Sequence, residues 1–597
     1  MRQLSSRVLG LHRRLAALSA ASASSSSRCL SSGPSPAAST RTTSTSGQSL
    51  VVESLYGKDL AASHDTLIEH LWKDSCVWDD KKFLTCAVSG SSYTYREARR
   101  LTHGFARALA GGLGGLDAKG QRLCKGDVVA VVAPNTPEFV LAAHGAIEAG
   151  LTVTFVNPLY TPEETARQLA ICGTRLVLTV PILLPLVRAV AQKLPQYVGT
   201  VLLDQQPSEQ PAGEFSFQCL AAEGASTEGV RLPRNAPEDV AILPFSSGTT
   251  GMPKGVMLTH GQLVSNLEQN LHPDFRFALY TRGDVQDTLL SILPFFHIYG
   301  LNSVLHTSML SGQHLISMPK FTAEDYIGAL LRHRPTGLAA VPAVVQFLSM
   351  HPAVKPDHLA SVRYVMSGAA PLGLDVIKRL NDKAGRELDL RQGYGMTETA
   401  PVTVLCSRHT PLDKRGSVGQ LLPGTRARIA DLATGEDLGP GQRGELLIKG
   451  PQVMKGYYKN AEATREVVDD EGWLHTGDVA FYDEDQYFYI VDRTKELIKV
   501  KGHQVSPTEL ESIIRQIPGI ADIAVVGVPH ERFGEVPIAF AVLQPGAKVT
   551  EDEVTSFVEP KVAPYKKLAG GVKFIDAIPR NAGGKVLRHQ LKAMVTK

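Results

Sequence analysis

Four stretches of this sequence place polar side chains among glycines in a way that suits an anionic ligand. The first is FSSGTTGMPKG, residues 245–255. Ser246, Ser247, Thr249 and Thr250 surround Gly248 and Gly251 there, and Lys254 precedes Gly255. Backbone N–H groups in such a turn can point into one concavity and hold an anion. The hydroxyls add donors and the lysine adds charge. The spacing is not G-x-x-x-x-G-K-[ST], the P-loop pattern. The second is RQGYGMTETAP, 391–401, where Gly393 and Gly395 flank Tyr394 and Thr397 and Glu398 follow. Backbone can approach a flat ligand there while the ring stacks on it. A carboxylate beside bound phosphates is a natural Mg²⁺ ligand. The third, GWLHTGD at 472–478, sets Asp478 after Gly477, where it can accept from both hydroxyls of a ribose. The fourth, PRNAGGKVLR at 579–588, frees the backbone around Lys585 with Gly583 and Gly584. Each has a plain reading when taken singly: a surface loop, a turn with an exposed acid, an Asp in a turn, a solvated lysine. Taken together, in this order and spacing along one chain, they form a specific set.

The elements that must carry these residues alternate. DVVAVVA (127–133), LTVTFV (151–156) and RLVLTV (175–180) are continuous apolar runs, as buried strands are. Between them lie TPEFVLAAHGAIEAG (136–150) and TPEETARQLAICG (161–173), with helical period, Thr-Pro starts and Gly stops. This alternation predicts an α/β fold with a largely parallel sheet covered by helices. Val240–Leu243 is apolar, so the 245–255 loop follows a buried strand. Nucleotides sit at such strand ends in α/β sheets. Past about residue 490 the pattern changes. A charged, Gly-containing run (491–507) leads into helices at 507–517 and 551–560 and strands at 521–529 and 538–545. A small α+β C-terminal domain on a large N-terminal multi-layer α/β domain is therefore expected.

Bulk properties narrow the partners. The 597 residues are 43% hydrophobic and 20% charged, which suits a globular enzyme of more than one domain. No apolar run reaches the length of a transmembrane helix. The first 50 residues hold Arg2, Arg7, Arg13, Arg14, Arg28 and Arg41, with no Lys and no acid. Without those six arginines the formal charge of +3 becomes an acid excess of three, which argues against nucleic acid as the main partner. The leader's apolar residues recur at helical spacing before a run rich in Ser, Ala and Thr. Residues 1–48 therefore read as a mitochondrial transit peptide, with cleavage after Leu30, and the expected location is the mitochondrial matrix, with the cytoplasm as the alternative. The seven cysteines form no C-x-x-C, so zinc and redox motifs are not expected.

The motif set resembles the adenylate-forming superfamily of acyl-CoA synthetases, non-ribosomal adenylation domains and beetle luciferases. It is most similar to the 4-coumarate:CoA ligase branch through SSGTTGMPKGVMLTH (246–260), PFFHIYGLNS (294–303), MSGAAPLG (366–373), QGYGMTET (392–399) and VDRTKELIKVKGHQVSPTELE (491–511). The resemblance covers nearly everything from residue 50 onward. It implies an AMP-binding domain at 49–491, a mobile C-terminal domain at 492–597 and a hinge at Asp492. Its members use ATP to convert a carboxylate to acyl-AMP and pyrophosphate, and CoA then displaces AMP. Adenylation removes the carboxylate's charge and supplies a leaving group.

The resemblance also implies roles. Ser246, Ser247, Gly248, Thr249, Thr250 and Lys254 would hold the β- and γ-phosphates, Glu398 the Mg²⁺ and Thr397 the α-phosphate region. Gln392, Gly393 and Tyr394 would line the adenine, with Ala369 also at the nucleotide, and Asp478 and Arg493 would hold the ribose. Lys585 would contact the attacking carboxylate and the α-phosphate, where a cation stabilises developing charge. After the small domain rotates, Lys495, Lys499 and Gln504 would lie near AMP, and Lys320, Lys501 and Gly502 would contact CoA. Without the resemblance, the lysines at 495–501 read as a solvated charged face. His297, Tyr299 and Ser303 would flank the acyl group, His297 with a catalytic contact near the carboxylate. Ala369, Gly395, Pro401 and Val402 would shape the far end of an aryl pocket.

One departure stands out. The plant ligases carry G-E-I-C-I-R-G where this chain has Gly444-Glu-Leu-Leu-Ile-Lys-Gly450. Together with the leader, this keeps fatty and other aryl acids open beside hydroxycinnamates. The expected activity is an ATP-dependent ligase joining a 4-coumarate-type or medium-chain fatty acid to CoA. The alternatives are a luciferase-like oxygenase of the same fold and a non-catalytic acyl- or nucleotide-binding protein.

Overall fold

A computed structural model of the chain describes residues 50–60, 63–112, 122–204, 213–246, 253–370, 372–494, 496–500, 503–581 and 584–595. The leader, residues 247–252, Lys495, Lys501 and Gly502 fall outside these.

Among the described residues, the first sheet has nine strands. Its parallel centre runs Val240–Leu243, Thr152–Val156, Val128–Val132, Thr174–Thr179, Gly199–Leu202 and Phe215–Ser216. Val128–Val132 and Thr152–Val156 are buried along their whole length, which is why the sequence shows unbroken apolar runs there. The intervening helices are Pro137–Glu148 and Pro162–Cys172. The Thr136 hydroxyl caps the first by accepting from the Phe139 N–H. Thr161 and Glu164 form a reciprocal capping box on the second, and Gly173 ends it with φ 66°. Lys254–Thr259 adds antiparallel to Val240–Leu243 and pairs with both Phe245–Ser246 and Gly456–Tyr457.

A second nine-stranded sheet contains six parallel strands, in the order Lys82–Cys86, His314–Ser317, Thr288–Ser291, Gly337–Ala340, Tyr364–Ser367 and Asp389–Gly395. Val402–Leu405 returns antiparallel to Asp389–Gly395. The MTETAP segment thus lies in the turn joining these two antiparallel strands. A third, antiparallel sheet joins Val52–Glu53, Arg426–Ala430, Gly444–Lys449, Leu474–Tyr482 and Phe488–Arg493.

The C-terminal part has its own mixed sheet of His503–Val505, Ile498–Val500, Gly534–Leu543, Ile520–His530 and Val572–Phe574. Helices Pro507–Ile514 and Glu551–Val558 pack on it around Leu510, Ile514, Val525, Ala539 and Val554. The fold is the expected α/β body with a smaller α+β unit. Among the described residues no helix is long and apolar enough to cross a membrane.

Candidate active site

Asp478 is the best-built part of the site. It follows Gly477, whose φ of 70° turns the strand Leu474–Tyr482. Its carboxylate is 5% exposed, accepts from the Tyr394 hydroxyl at 2.6 Å and pairs with the Arg493 guanidinium at 3.1 Å. Asp478 and Arg493 are directly opposed across two antiparallel strands, so register alone brings them together. Burial raises the Asp478 carboxyl above the ordinary Asp range, with Arg493 and Tyr394 pulling it back. Burial works against the Arg493 charge, but Asp478 and the surrounding negative groups more than offset it. Tyr394 is itself pushed up by burial and by Asp478.

Lys585 comes to the same cluster from the C-terminal domain. Its backbone is fixed by Asn581, which donates its N–H to the Lys585 carbonyl at 2.8 Å and accepts the Lys585 N–H on its side chain at 2.9 Å. Arg580 braces the turn by donating to the Gly584 carbonyl and to both Asp522 oxygens. The Lys585 ammonium lies 3.9 Å from Glu496. Burial lowers the Lys585 ammonium below the ordinary lysine range, and Arg493 adds to this. Glu496 and Asp478 oppose it. Contacts across the domain boundary hold this arrangement: Gln346 donates to the Ala521 carbonyl at 2.8 Å, and Gly584 lies against Val341.

Glu398 sits in the turn Thr397–Thr399 and is 5% exposed. One of its oxygens accepts from the Tyr457 hydroxyl at 3.0 Å, and its carbonyl accepts from the Met454 N–H. Burial and the Glu398 charge push Tyr457 well up, so it stays a donor. The Lys254 ammonium lies 5.0 Å from the centre of the Tyr457 ring. Ser246 faces Lys254 across the two-stranded ribbon, and its buried hydroxyl makes no hydrogen bond of good geometry among the described residues. Lys254, Ser246, Tyr457 and Glu398 therefore share one corner. Ser247, Gly248, Thr249 and Thr250, which complete the predicted phosphate loop, lie outside the described residues.

Gln392 has a structural use beside the lining role that the resemblance implies. Its side-chain amide donates to the Leu372 and Arg415 carbonyls and accepts from the Leu372 N–H. It shapes the loop before residue 373, with both amide N–H groups spent on backbone carbonyls. Gly393 and Gly395 are needed by the hairpin itself. A Cβ at Gly395 would stand 1.9 Å from the Pro401 carbonyl oxygen, and one at Gly393 would stand 2.8 Å from Leu405.

The acyl-side residues cluster around the wide π-type helix Tyr299–His306. His297 Nδ1 accepts from the Tyr299 N–H at 3.3 Å, and burial pushes its pKa down to about 4, so the ring is neutral at physiological pH. Tyr299 donates to the Ala340 carbonyl at 3.5 Å, and its ring lies beside Gly368. Ser303 is 2% exposed, with its hydroxyl unpartnered among the described residues. It lines a cavity of about 20 Å³ with Phe277, Tyr364 and Met366. Pro401 and Val402 are buried, and Ala369 is exposed with φ 71°. Thr397 is buried beside Glu398.

Of the residues assigned to the second arrangement, the side chains of Lys320 and Lys499 are described. Lys320 and Lys499 are exposed, and Lys499 opposes Gln504 across a hairpin. Lys495, Lys501 and Gly502 lie outside the described residues, as does the Gln504 side chain. Asp492 is buried and accepts from the Ser506 hydroxyl at 2.7 Å and the Thr508 N–H at 3.0 Å, with burial raising its carboxyl. It thus ties the last strand of the body to the first helix of the small domain.

Three residues escaped the motif reading. Tyr457 has no motif around it. Glu496 lies inside the quoted 491–511 run but reads there as one charge among several. Arg588 pairs with Glu496 at 2.9 Å and Glu511 at 2.6 Å and donates to the Val525 carbonyl, and only the fold brings these groups together.

This geometry has known relatives. Residues 74–458 match the profile of the AMP-binding enzyme family, and residues 509–585 match the AMP-binding enzyme C-terminal domain. The chain is 40% identical to 4-coumarate–CoA ligase 3 of Oryza sativa subsp. japonica, over 85% of this chain and 88% of the relative. It is also 40% identical to 4-coumarate–CoA ligase 3 of Arabidopsis thaliana, over 86% and 88%. ATP-bound MatB from Rhodopseudomonas palustris superposes with a TM-score of 0.77 at 29% identity, covering 89% of this chain and 99% of that one. The o-succinylbenzoate CoA synthetase of Bacillus subtilis, solved with its acyl-adenylate intermediate, gives 0.71 at 26% identity, over 89% and 98%. The chain belongs to the AMP-binding enzyme family, as an acid–thiol ligase of the adenylate-forming type.

Proposed function

We propose that this ligase activates a 4-coumarate-type aryl acid or a medium-chain fatty acid as its adenylate and passes the acyl group to CoA. The observation that carries the two-step reading is the approach of Lys585, from the C-terminal domain, to Glu496 and into the field of the Asp478–Arg493 pair. Asp478 and Arg493 would hold the ribose while Tyr394 walls the adenine. Lys585 would then lie where carboxylate oxygen meets α-phosphate, aligning the two anions and stabilising the charge that develops between them. The phosphate corner of Ser246 and Lys254 would take the departing pyrophosphate, with Thr397 at the α-phosphate.

Mg²⁺ fits Glu398. The carboxylate is buried beside the phosphate corner and spends one oxygen on Tyr457. Among the described residues no group of three metal-ligating side chains converges. A cation at Glu398 would therefore take its other ligands from phosphate oxygens and water, as magnesium commonly does. When bound, it would neutralise the pyrophosphate as it leaves. The second half-reaction needs Lys585 withdrawn and Lys320, Lys499, Lys501 and Gly502 brought to CoA, with Asp492 as the hinge between units 49–491 and 492–597.

The Arg-rich, acid-free residues 1–48 support import into the mitochondrial matrix. Microscopy of the tagged full chain tests this, and cytosolic signal would reject it. The catalytic proposal is tested by AMP release from ATP, Mg²⁺ and CoA over an acid panel from cinnamates to dodecanoate. CoA-dependent AMP release with at least one aryl or medium-chain acid is expected. None across the panel would contradict the reading.

A further inference from the structure

A buried polar chain runs beneath the Glu398 turn. His144 and His306 are each 1% exposed, with their Nε2 atoms 3.1 Å apart. His306 Nδ1 is 2.8 Å from Asn302 Oδ1, and Asn302 Nδ2 donates to the Ala400 carbonyl at 2.7 Å. Ala400 closes the turn Thr397–Thr399 and has φ 64°. That left-handed conformation costs a non-glycine residue free energy and persists only where surrounding groups enforce it.

The protonation pattern of the chain follows from the acceptors. A carbonyl only accepts, so the Asn302 amide nitrogen must face Ala400 and its oxygen must face His306. His306 Nδ1 then carries a proton. Burial drives both rings to the neutral form, so His306 Nε2 is the acceptor and His144 Nε2 the donor. Each donor and acceptor from His144 Nε2 to Ala400 is thereby matched. The chain locks the orientation of Asn302, and Asn302 pins Ala400. On the other side of the same turn, Asn266 accepts from the Val402 N–H and donates to the Val402 carbonyl. The turn carrying Thr397 and Glu398 is thus held at two points.

We propose that Asn302, oriented by His306, is a positioning residue for the adenylation half-reaction: it holds Ala400 so that Thr397 and Glu398 present their oxygens to the metal–phosphate end of ATP. This rests on the ligase reading, and the half-reactions separate the two ideas. Outer-shell partners of metal ligands typically contribute 10–100-fold to metal affinity or activity. Asn302→Ala and His306→Leu are assayed by acid-dependent pyrophosphate–ATP exchange over a Mg²⁺ titration, and by thioester formation from supplied acyl-AMP and CoA, which needs neither pyrophosphate nor its cation. Both variants should lose about 10–100-fold in exchange and need about tenfold more Mg²⁺ for half-maximal rate, while thioester formation stays at the wild-type rate. His306→Gln, which keeps a donor toward Asn302, should recover much of the exchange. Equal loss of both half-reactions would mark a merely structural role and overturn the proposal, as would unchanged exchange and Mg²⁺ requirement. If wild-type protein forms no adenylate with any acid, the ligase reading fails instead.

Discussion

At the scale of single residues, the site is organised by one acid and one base from different domains. Asp478 keeps its negative role through Arg493 and Tyr394 although burial opposes the charge. Lys585 is held near its partners although burial and Arg493 oppose its charge. That opposition has a kinetic consequence. On the proposed reading Lys585 acts protonated, and burial holds its ammonium below the ordinary lysine range. Adenylation should therefore decline as pH rises, with the fall beginning below the pH expected of a free lysine. Lys585→Arg, which stays charged to far higher pH, should abolish that decline in whatever activity it retains. The check is pyrophosphate exchange measured across alkaline pH. A second expectation concerns the same side chain: Lys585→Ala should lower exchange by roughly 10²–10³-fold or more, the scale of losing a preorganised charge-stabilising donor. Thioester formation from supplied acyl-AMP should persist. Equal loss of both would remove Lys585 from the first half-reaction.

At the scale of elements, the turn 395–402 shows how tightly backbone shape is specified. The carbonyl of Pro401 occupies the space a Cβ at Gly395 would need. Gly395→Ala should force the hairpin apart, destabilise the protein by roughly 1–3 kcal/mol and lower activity by displacing Thr397 and Glu398. Thermal melting beside an activity assay measures both effects. A variant with wild-type Tm and rate would refute this packing account. The same elements explain what the sequence could and could not disclose. Strands 128–132, 152–156 and 174–179 were legible because parallel strands covered on both faces read as unbroken apolar runs. The strand Leu474–Tyr482 alternates buried and half-buried positions and pairs with distant partners, so only Asp478 stood out within it. The individual motif residues were legible because glycine, hydroxyl and charge cluster locally. Their partners were not. Tyr457 meets Glu398 across 59 residues of chain, and Arg588 meets Glu496 across 92. Gln392 was legible as part of a motif, but the backbone groups of Leu372 and Arg415 occupy its amide, and local sequence carries no sign of that.

At the scale of the whole molecule, two half-reactions must share one site, and the arrangement described here presents only the first. Lys585 lies beside Glu496, within the field of Asp478, while Lys320 and Lys499 stand exposed. On the proposed reading the small domain moves before CoA attacks, and domain motions of this kind hinge on a few residues at the boundary, here around Asp492. The contact between Gly584 and Val341 offers a way to hold the molecule still. A Cβ built at Gly584 lies 3.6 Å from the Val341 Cβ, within the usual range for a disulfide. The left-handed backbone at Gly584 makes cysteine there somewhat costly, which reduction controls for. The Val341→Cys/Gly584→Cys protein, oxidised and then reduced, should be assayed in both states for pyrophosphate exchange and for acyl-CoA formation. The oxidised protein is expected to retain exchange and lose acyl-CoA formation, which reductant restores. Acyl-CoA formed equally well with the crosslink closed would contradict the claim that Lys585 must leave before the thiol arrives.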